Sequence, residues 1–394
     1  MRISHRAQAI TPFFAMEFGK RAADMEAEGV DIIKLCLGEP DFGAPPAVLE
    51  AARLAIDAVD FSYSSALGTL ELRKAISDFY CRTHGVDVPP SRIVVTAGAS
   101  AALLLVTAAL VNPGDEVMVG DPSYPCNRRF LTSFGAKVNL VPTGPATHFQ
   151  LDAAAVQDKW TKRTRGLMIA SPSNPTGTSI PTSELQLICQ WAHKNNAWRI
   201  VDEIYLNLGD MDEAGRPPQT VLAIDDEAIV INSFSKYFGM TGWRLGWCVV
   251  PETLVPIIER LAQNYYICPS VVSQRAALAC FTPESLEVCE MRRLEFSRRR
   301  YLVLNGLAGI GLPVPVPPDG AFYVYFDVSH TGMTSWEFCE LALQEAHVAL
   351  TPGKDFGVCG ADTYVRLSYA ASSASLEEAI ARLARLMVQQ NLRK

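Results

Sequence analysis

Between residues 92 and 251 short, unbroken apolar runs alternate with longer stretches whose apolar positions recur at helical spacing. Runs such as Leu167, Met168, Ile169 and Ile229, Val230, Ile231 lack the apolar–polar alternation of a half-exposed strand, so both faces of these strands should be covered. Strands are predicted near 116–120, 166–170, 198–202, 229–233 and 245–250, with helices between several of them. That order predicts an α/β fold with a mostly parallel sheet. Ahead of it, Leu72, Ala75, Ile76 and Phe79 fall on one face of a helix predicted over 69–82.

The segment 93–111 contains no charged residue and is long enough for the crude membrane-span rule. Its internal pattern divides it, however. Ile93, Val94 and Val95 favour a strand, the small residues Ala97, Gly98, Ala99 and Ser100 a turn, and Ala101 onward a helix that Asn112, Pro113 and Gly114 stop. The prediction is a buried strand, turn and helix.

Past Pro251 come helical segments and a proline-rich break over 312–318. An α+β tail follows, with strands expected over 321–328 and 364–368 and a capping box of Ser375 and Glu378 opening the last helix. A strand over 31–37 is expected to join this tail. The predicted division is therefore 1–45 as part of a smaller domain, 46–285 as the large domain and 286–394 as the rest of the small one.

A net charge of −7, with both signs interspersed, gives no field for nucleic acid or an anionic membrane and leaves small molecules as the expected partners. The basic cluster Arg292, Arg293, Arg298, Arg299 and Arg300 sits in a helical stretch and reads as a solvated helix face. The 10 cysteines show no CxxC pair, which fits a reducing cytoplasm, and no secretion signal is expected near the N-terminus. No metal site is expected.

Candidate chemistry concentrates after the predicted strand ends. The run Ser233, Phe234, Ser235, Lys236 through Gly242, Trp243, Arg244 and Gly246 puts a lysine behind a buried strand, with two hydroxyls and an arginine nearby. A lysine so placed can lose its charge by desolvation and attack an aldehyde. Hydroxyls with an arginine suit a phosphate. Alone, Lys236 would be an ordinary surface lysine. Three further motifs stand in register with it: Asn174, Pro175, Thr176, Gly177; Asp202, Glu203, Ile204, Tyr205; and Thr96 to Ser100 ahead of a helix.

Together these runs resemble the class I and II aminotransferases of the aspartate-aminotransferase-like family, fold-type I pyridoxal-phosphate enzymes, and the resemblance extends from about Leu35 to Leu392. It implies a mostly parallel large domain, a smaller α+β domain built from both chain ends, and pyridoxal 5'-phosphate as cofactor. It implies Lys236 as the lysine that carries the cofactor and moves the substrate proton. Asp202 would hold the pyridine nitrogen protonated, and Asn174 and Tyr205 would bond the ring oxygen. Ala99, Ser100, Ser233, Ser235 and Arg244 would hold the phosphate, Tyr124 would stack on the ring, and Tyr63 would reach the phosphate of a neighbouring subunit in a homodimer with shared active sites. Arg366, with Gly38, would bind the substrate α-carboxylate.

Relatives specific for aspartate often carry a lysine where Ser100 stands and a tryptophan where Tyr124 stands. The resemblance therefore implies transfer from a neutral or broad range of L-amino acids to a 2-oxo acid such as 2-oxoglutarate, with ping-pong kinetics. Arg128 and Arg129 are candidates for reading a second carboxylate. Two alternatives share these motifs: a carbon–sulfur lyase, and a non-catalytic regulator, which would need a DNA-binding domain ahead of Leu35.

Overall fold

The computed structural model describes residues 1–390; the end of the last predicted segment, including Leu392, lies outside the described residues. Twelve strands form three sheets. In chain order they are β1 (Ile33–Lys34), β2 (Ile93–Thr96), β3 (Glu116–Asp121), β4 (Lys137–Pro142), β5 (Thr164–Ala170), β6 (Trp198–Asp202), β7 (Ile229–Ser233), β8 (Gly246–Val249), β9 (Tyr323–Asp327), β10 (Val348–Ala349), β11 (Thr351–Pro352) and β12 (Tyr364–Ser368). The seven-stranded sheet runs β2-β8-β7-β6-β5-β3-β4. Its pairs from β7 to β4 are parallel, and β8 is antiparallel to both neighbours.

The apolar runs are buried as their composition demands: Leu167, Met168, Ile229, Val230 and Ile231 are all at most 2% exposed. Two clusters cover the sheet's two faces, one containing Leu167, Val201 and Val230 and the other Met168, Ile200 and Ile231, so alternate residues of one strand feed opposite cores. The charge-free segment 93–111 resolves into β2 and the helix Ala99–Leu110, and no helix among the described residues is long and apolar enough to cross a membrane. Helix Leu70–His84 starts on the Thr69 cap and stops at Gly85, whose φ of 66° is the left-handed conformation that ends helices.

Four features stand out against the expectations, three of them as corrections. The predicted strand over 31–37 shrinks to β1, which pairs in parallel with β10. Leu35 still bonds backbone, but from Cys36 on the chain turns into the site, where the Cys36 and Gly38 carbonyls accept from side chains. The last helix, Ser373–Gln389, begins two residues ahead of Ser375, and Ser372 caps it by accepting from the Ser375 amide at 3.1 Å. Strand β8 takes an antiparallel place within the mostly parallel sheet, the connection 234–245 from β7 holding no helix that could cross back over a sheet face.

The fourth concerns the basic helix face, which is only partly solvated. Arg293, Arg299 and Arg300, on helix Pro283–Gly309, are 9%, 5% and 5% exposed. Arg299 donates to both carboxylate oxygens of Asp41 at 2.8 Å, and Arg300 to those of Asp210 at 2.8 and 2.7 Å. Asp41 and Asp210 lie far away in sequence, so the local run of charge shows only the nearer partners, Glu290 of Arg293 and Glu295 of Arg299.

Candidate active site

Parallel strands deliver their following loops to one edge of a sheet, and at that edge lies a cavity of about 440 Å³. The turns after β5, β6 and β7 and the head of helix Ala99–Leu110 supply one wall. Arg366 from β12, Tyr323 from β9 and the segment around Gly38 supply another, so residues from both chain ends meet the large sheet there.

Lys236 is enclosed by this cavity. Its Nζ donates to the Gly38 carbonyl at 2.5 Å and lies 5.9 Å and 5.8 Å from the ring centres of Tyr205 and Phe322. Desolvation lowers its pKa to about 8, against the opposing pull of the Glu39 charge. A neutral amine near neutral pH is a nucleophile, whereas an ordinary lysine is an ammonium ion.

The adjacent carboxylates at the end of β6 point to different places, as alternation along a strand requires. Asp202 lines the cavity, accepts the Ile204 amide at 3.0 Å and has its pKa raised to about 6 by burial, with Lys236 pulling it back. Glu203 instead accepts from Thr220 Oγ1 at 2.7 Å and the Val221 amide at 2.6 Å, and burial raises it to about 7. Glu203 secures a loop, and Asp202 faces the site.

Arg366 is 1% exposed and packs between the rings of Tyr323 and Phe356, with centroids at 4.6 and 4.9 Å. It donates to Asn174 Oδ1 at 2.8 Å, the Cys36 carbonyl at 2.5 Å and Thr351 Oγ1 at 3.3 Å, while its buried Nε has no partner. Every acceptor is neutral, so a full positive charge without a counter-charge among its hydrogen-bond partners belongs to the cavity lining. An anion with two oxygens satisfies it.

The opposite end of the cavity is a cradle of donors. Ala99 and Ser100 sit in the first turn of their helix, where amides lack intrahelical acceptors and the dipole favours negative charge. Ser233 donates to the Leu245 carbonyl at 3.1 Å, lies 2.9 Å from the Ser235 hydroxyl and accepts the Ser235 amide at 3.0 Å, which fixes both hydroxyls. Arg244 is held by the Thr241 carbonyl at 2.8 Å. Its Nη2 would lie 2.6 Å from a Cβ placed on Gly98, and a Cβ on Gly246 would lie 2.8 Å from the Ala99 amide nitrogen. Only glycines leave amide and guanidinium this close, which fits a phosphate seated between them.

Tyr124 caps helix Pro125–Ser133 and borders the cavity, as does Tyr205, whose hydroxyl lies 2.7 Å from that of Tyr323. Tyr63 stands apart. It is 79% exposed and outside the cavity of its own chain. Arg128 and Arg129 are also absent from the lining: Arg128 donates to the carbonyls of Asp355 and Phe356, and Arg129 to Thr11.

Sequence reasoning missed Tyr323, Glu39 and the apolar trio Phe13, Met16 and Leu37, all of which line the cavity. Strand pairing finds Tyr323: it opposes Ser368 while Tyr325 opposes Arg366, so Tyr323 and Arg366 lie diagonally on one face. That register is invisible before the strands are paired.

A desolvated lysine, a buried carboxylate and a phosphate cradle at the carboxyl edge of this sheet define a pyridoxal-phosphate enzyme of the aspartate-aminotransferase-like fold. The family model for aminotransferase class I and II matches residues 30–383. A valine–pyruvate aminotransferase of Mycobacterium tuberculosis is 40% identical over 384 residues, 97% of each chain. An aspartate/prephenate aminotransferase of Thermus thermophilus is 35% identical, covering 98% of each. The crystal structure of an aminotransferase from Mycobacterium tuberculosis superposes with a TM-score of 0.95 at 39% identity, covering 99% of this chain and 100% of that one. The chain belongs to the class I and II aminotransferases and is a pyridoxal-phosphate-dependent transaminase.

Proposed function

We propose that this transaminase takes a neutral L-amino acid as donor, within a broad range of side chains, and a 2-oxo acid with a single carboxylate, such as pyruvate rather than the expected 2-oxoglutarate, as acceptor. The reading is carried by the charges around the cavity. Among the described lining residues the cations are Lys236, Arg244 and Arg366, and all three are occupied, Lys236 as the reacting amine, Arg244 at the phosphate and Arg366 at the α-carboxylate. None remains for a second carboxylate, and Glu39 at the lining would repel one. The similarity to a valine–pyruvate aminotransferase points the same way.

When bound, pyridoxal phosphate supplies an aldehyde that condenses with amines and a ring that accepts the electrons of a broken Cα–H bond. Lys236 would anchor it and would be the group that takes the proton of substrate Cα and gives it back; a pKa near 8 suits both directions. Asp202 holds a proton at the ring nitrogen by its charge. Asn174 and Tyr205 orient the ring oxygen, Tyr124 packs on the ring face, and Ala99, Ser100, Ser233, Ser235 and Arg244 grip the phosphate. Arg366 fixes the α-carboxylate, with Gly38 closing beside it, so the bond to be broken is held in one orientation. Donor and acceptor use the same residues in turn, hence ping-pong kinetics.

The same proposal includes a homodimer in the cytoplasm, with the small domain (1–45 and 286–394) set on the large one (46–285). Exposed Leu49, Leu54, Ile56, Val59 and Phe61, in the stretch of chain that leads to Tyr63, support the dimer, since large apolar side chains left in water are the surface a second copy would cover.

The test is a screen of amino acids, each alone, against the loaded enzyme, read as loss of its visible absorbance. Response to valine, leucine or phenylalanine but weakly to aspartate is expected. Response to aspartate and glutamate alone would reject the neutral-donor reading. Borohydride trapping on any residue other than Lys236 would reject the role assignment, and a sedimentation mass of one chain would reject the dimer.

A further inference from the structure

The apolar trio in the lining belongs to the N-terminal part of the chain, and its placement depends on a distant carboxylate. Helix Phe14–Ala27 has no side-chain cap of its own at Phe13. Its first two amides are taken by Asp355: Phe14 N donates to Oδ1 and Ala15 N to Oδ2, both at 3.1 Å. Asp355 is 3% exposed. A buried carboxylate facing a helix N-terminus is favoured by both the free amides and the dipole.

The loop bearing Asp355 is itself fastened to the large sheet. Arg128 donates to the Asp355 and Phe356 carbonyls at 3.1 and 3.2 Å, and Ser123 N donates to the Phe356 carbonyl at 2.9 Å. The Asp121 carboxylate, at the end of β3, accepts the Val358 amide at 3.0 Å and the Cys359 amide at 3.1 Å. Asp355 therefore relays the position of the large sheet to the start of the N-terminal helix. There the Phe13 ring stands edge-on to Tyr124, with centroids 6.2 Å apart and planes at 77°.

Once the polar lining is allotted to cofactor and α-carboxylate, the apolar lining is left for a donor's side chain: Leu103, Ala170 and Ile204 from the large sheet with its helices and loops, and Phe13, Met16 and Leu37 as a wall from the N-terminal part of the chain. We propose that Phe13, with Met16 at the mouth, sets which donor side chains fit, and that Asp355 is the positioning residue that holds this wall over the site. The inference rests on the neutral-donor reading above. It assigns Arg128 to structure, through the loop it fastens, rather than to substrate.

The test uses the cofactor-loaded enzyme and the rate of absorbance loss with valine or phenylalanine as sole substrate, compared as a ratio. Phe13→Ala removes contacts to a small side chain and opens room for a large one. The valine-to-phenylalanine ratio of efficiencies is expected to fall by about tenfold, the scale on which apolar pockets discriminate. Asp355→Ala is expected to shift the ratio in the same direction, and Phe13→Ala/Asp355→Ala to shift it no further than Phe13→Ala alone. Asp355→Asn, which keeps one acceptor oxygen, should lie between, and it carries the comparison if Asp355→Ala does not fold. An unchanged ratio in Phe13→Ala overturns the wall. Equal slowing of both donors in the Asp355 variants overturns the positioning role, because general damage does not alter a ratio. Should the wild-type enzyme respond to neither donor, the neutral-donor reading itself fails; response with unaltered ratios sinks only the inference.

Discussion

Arg366 donates a hydrogen bond to Oδ1 of Asn174 at 2.8 Å, joining β12 to the turn after β5. The amide NH2 of Asn174 is thereby turned away from the arginine and left free to donate elsewhere. One bond thus orients two groups, one proposed for the substrate carboxylate and one for the cofactor ring oxygen.

Replacing Arg366 by Lys keeps the charge but loses the planar fork. Efficiency with any donor should fall by about two orders of magnitude, equivalent to the loss of a buried charged pair at roughly 2–5 kcal/mol. Because Asn174 loses its orienting donor, cofactor affinity should weaken as well. Steady-state kinetics with a cofactor titration checks both; a variant with altered donor KM and unaltered cofactor binding would contradict the linkage.

Gly246→Ala should weaken cofactor binding, because the new methyl would stand 2.8 Å from both the Ala99 nitrogen and the Asn232 carbonyl oxygen, forcing backbone apart at the cradle. Overpacking of this kind costs about 1–3 kcal/mol. Gly309→Ala, with nothing within 4 Å of its added carbon and outside the cavity lining, is the control and should bind as wild type. Equilibrium dialysis of the cofactor against both variants measures the difference.

In the cofactor-free protein the buried carboxylates Asp202 and Glu203 should contribute stability that is lost as pH rises from about 4 to 7, opposed between about 4 and 6.5 by His84, whose pKa burial lowers to about 4. Burial raises Asp202 to about 6 and Glu203 to about 7, so between their unfolded and folded pKa values the native state binds more protons than the unfolded one. Their contribution is then greatest below the unfolded values and declines through the folded ones. Lys236 acts at the other end. Its folded pKa of about 8 lies below the ordinary 10.5, so the unfolded state binds the extra proton between them and stability rises with pH across that range. Urea midpoints against pH test this, and Asp202→Asn should flatten the acidic limb.

Arg299→Ala should destabilise the fold by about 3–5 kcal/mol, the scale for breaking a buried ion pair from one side. It strands Asp41 and Glu295 and removes the guanidinium stacked 4.9 Å from the Phe42 ring. Arg298→Ala, whose side chain is 76% exposed, should change stability by less than about 0.5 kcal/mol. Thermal melts of the two variants should differ by several degrees.

What the chain by itself determined is local and periodic. Burial on both faces made β5, β6 and β7 readable as apolar runs, and β6 and β7 have the bounds predicted for them. Lys236, Asp202, Asn174 and Arg244 were legible because each stands at or near a strand end within a compact motif that carries the family resemblance. Tertiary structure decided what depends on contacts between distant segments: that β8 runs antiparallel, that Asp202 rather than Glu203 faces the cavity, that Arg299 and Arg300 are buried by Asp41 and Asp210, and that Asp355 caps a helix at Phe14. The physical reason is range. Periodicity reports which face of an element avoids water, whereas register, charge pairing and capping across hundreds of residues exist only once the chain has folded.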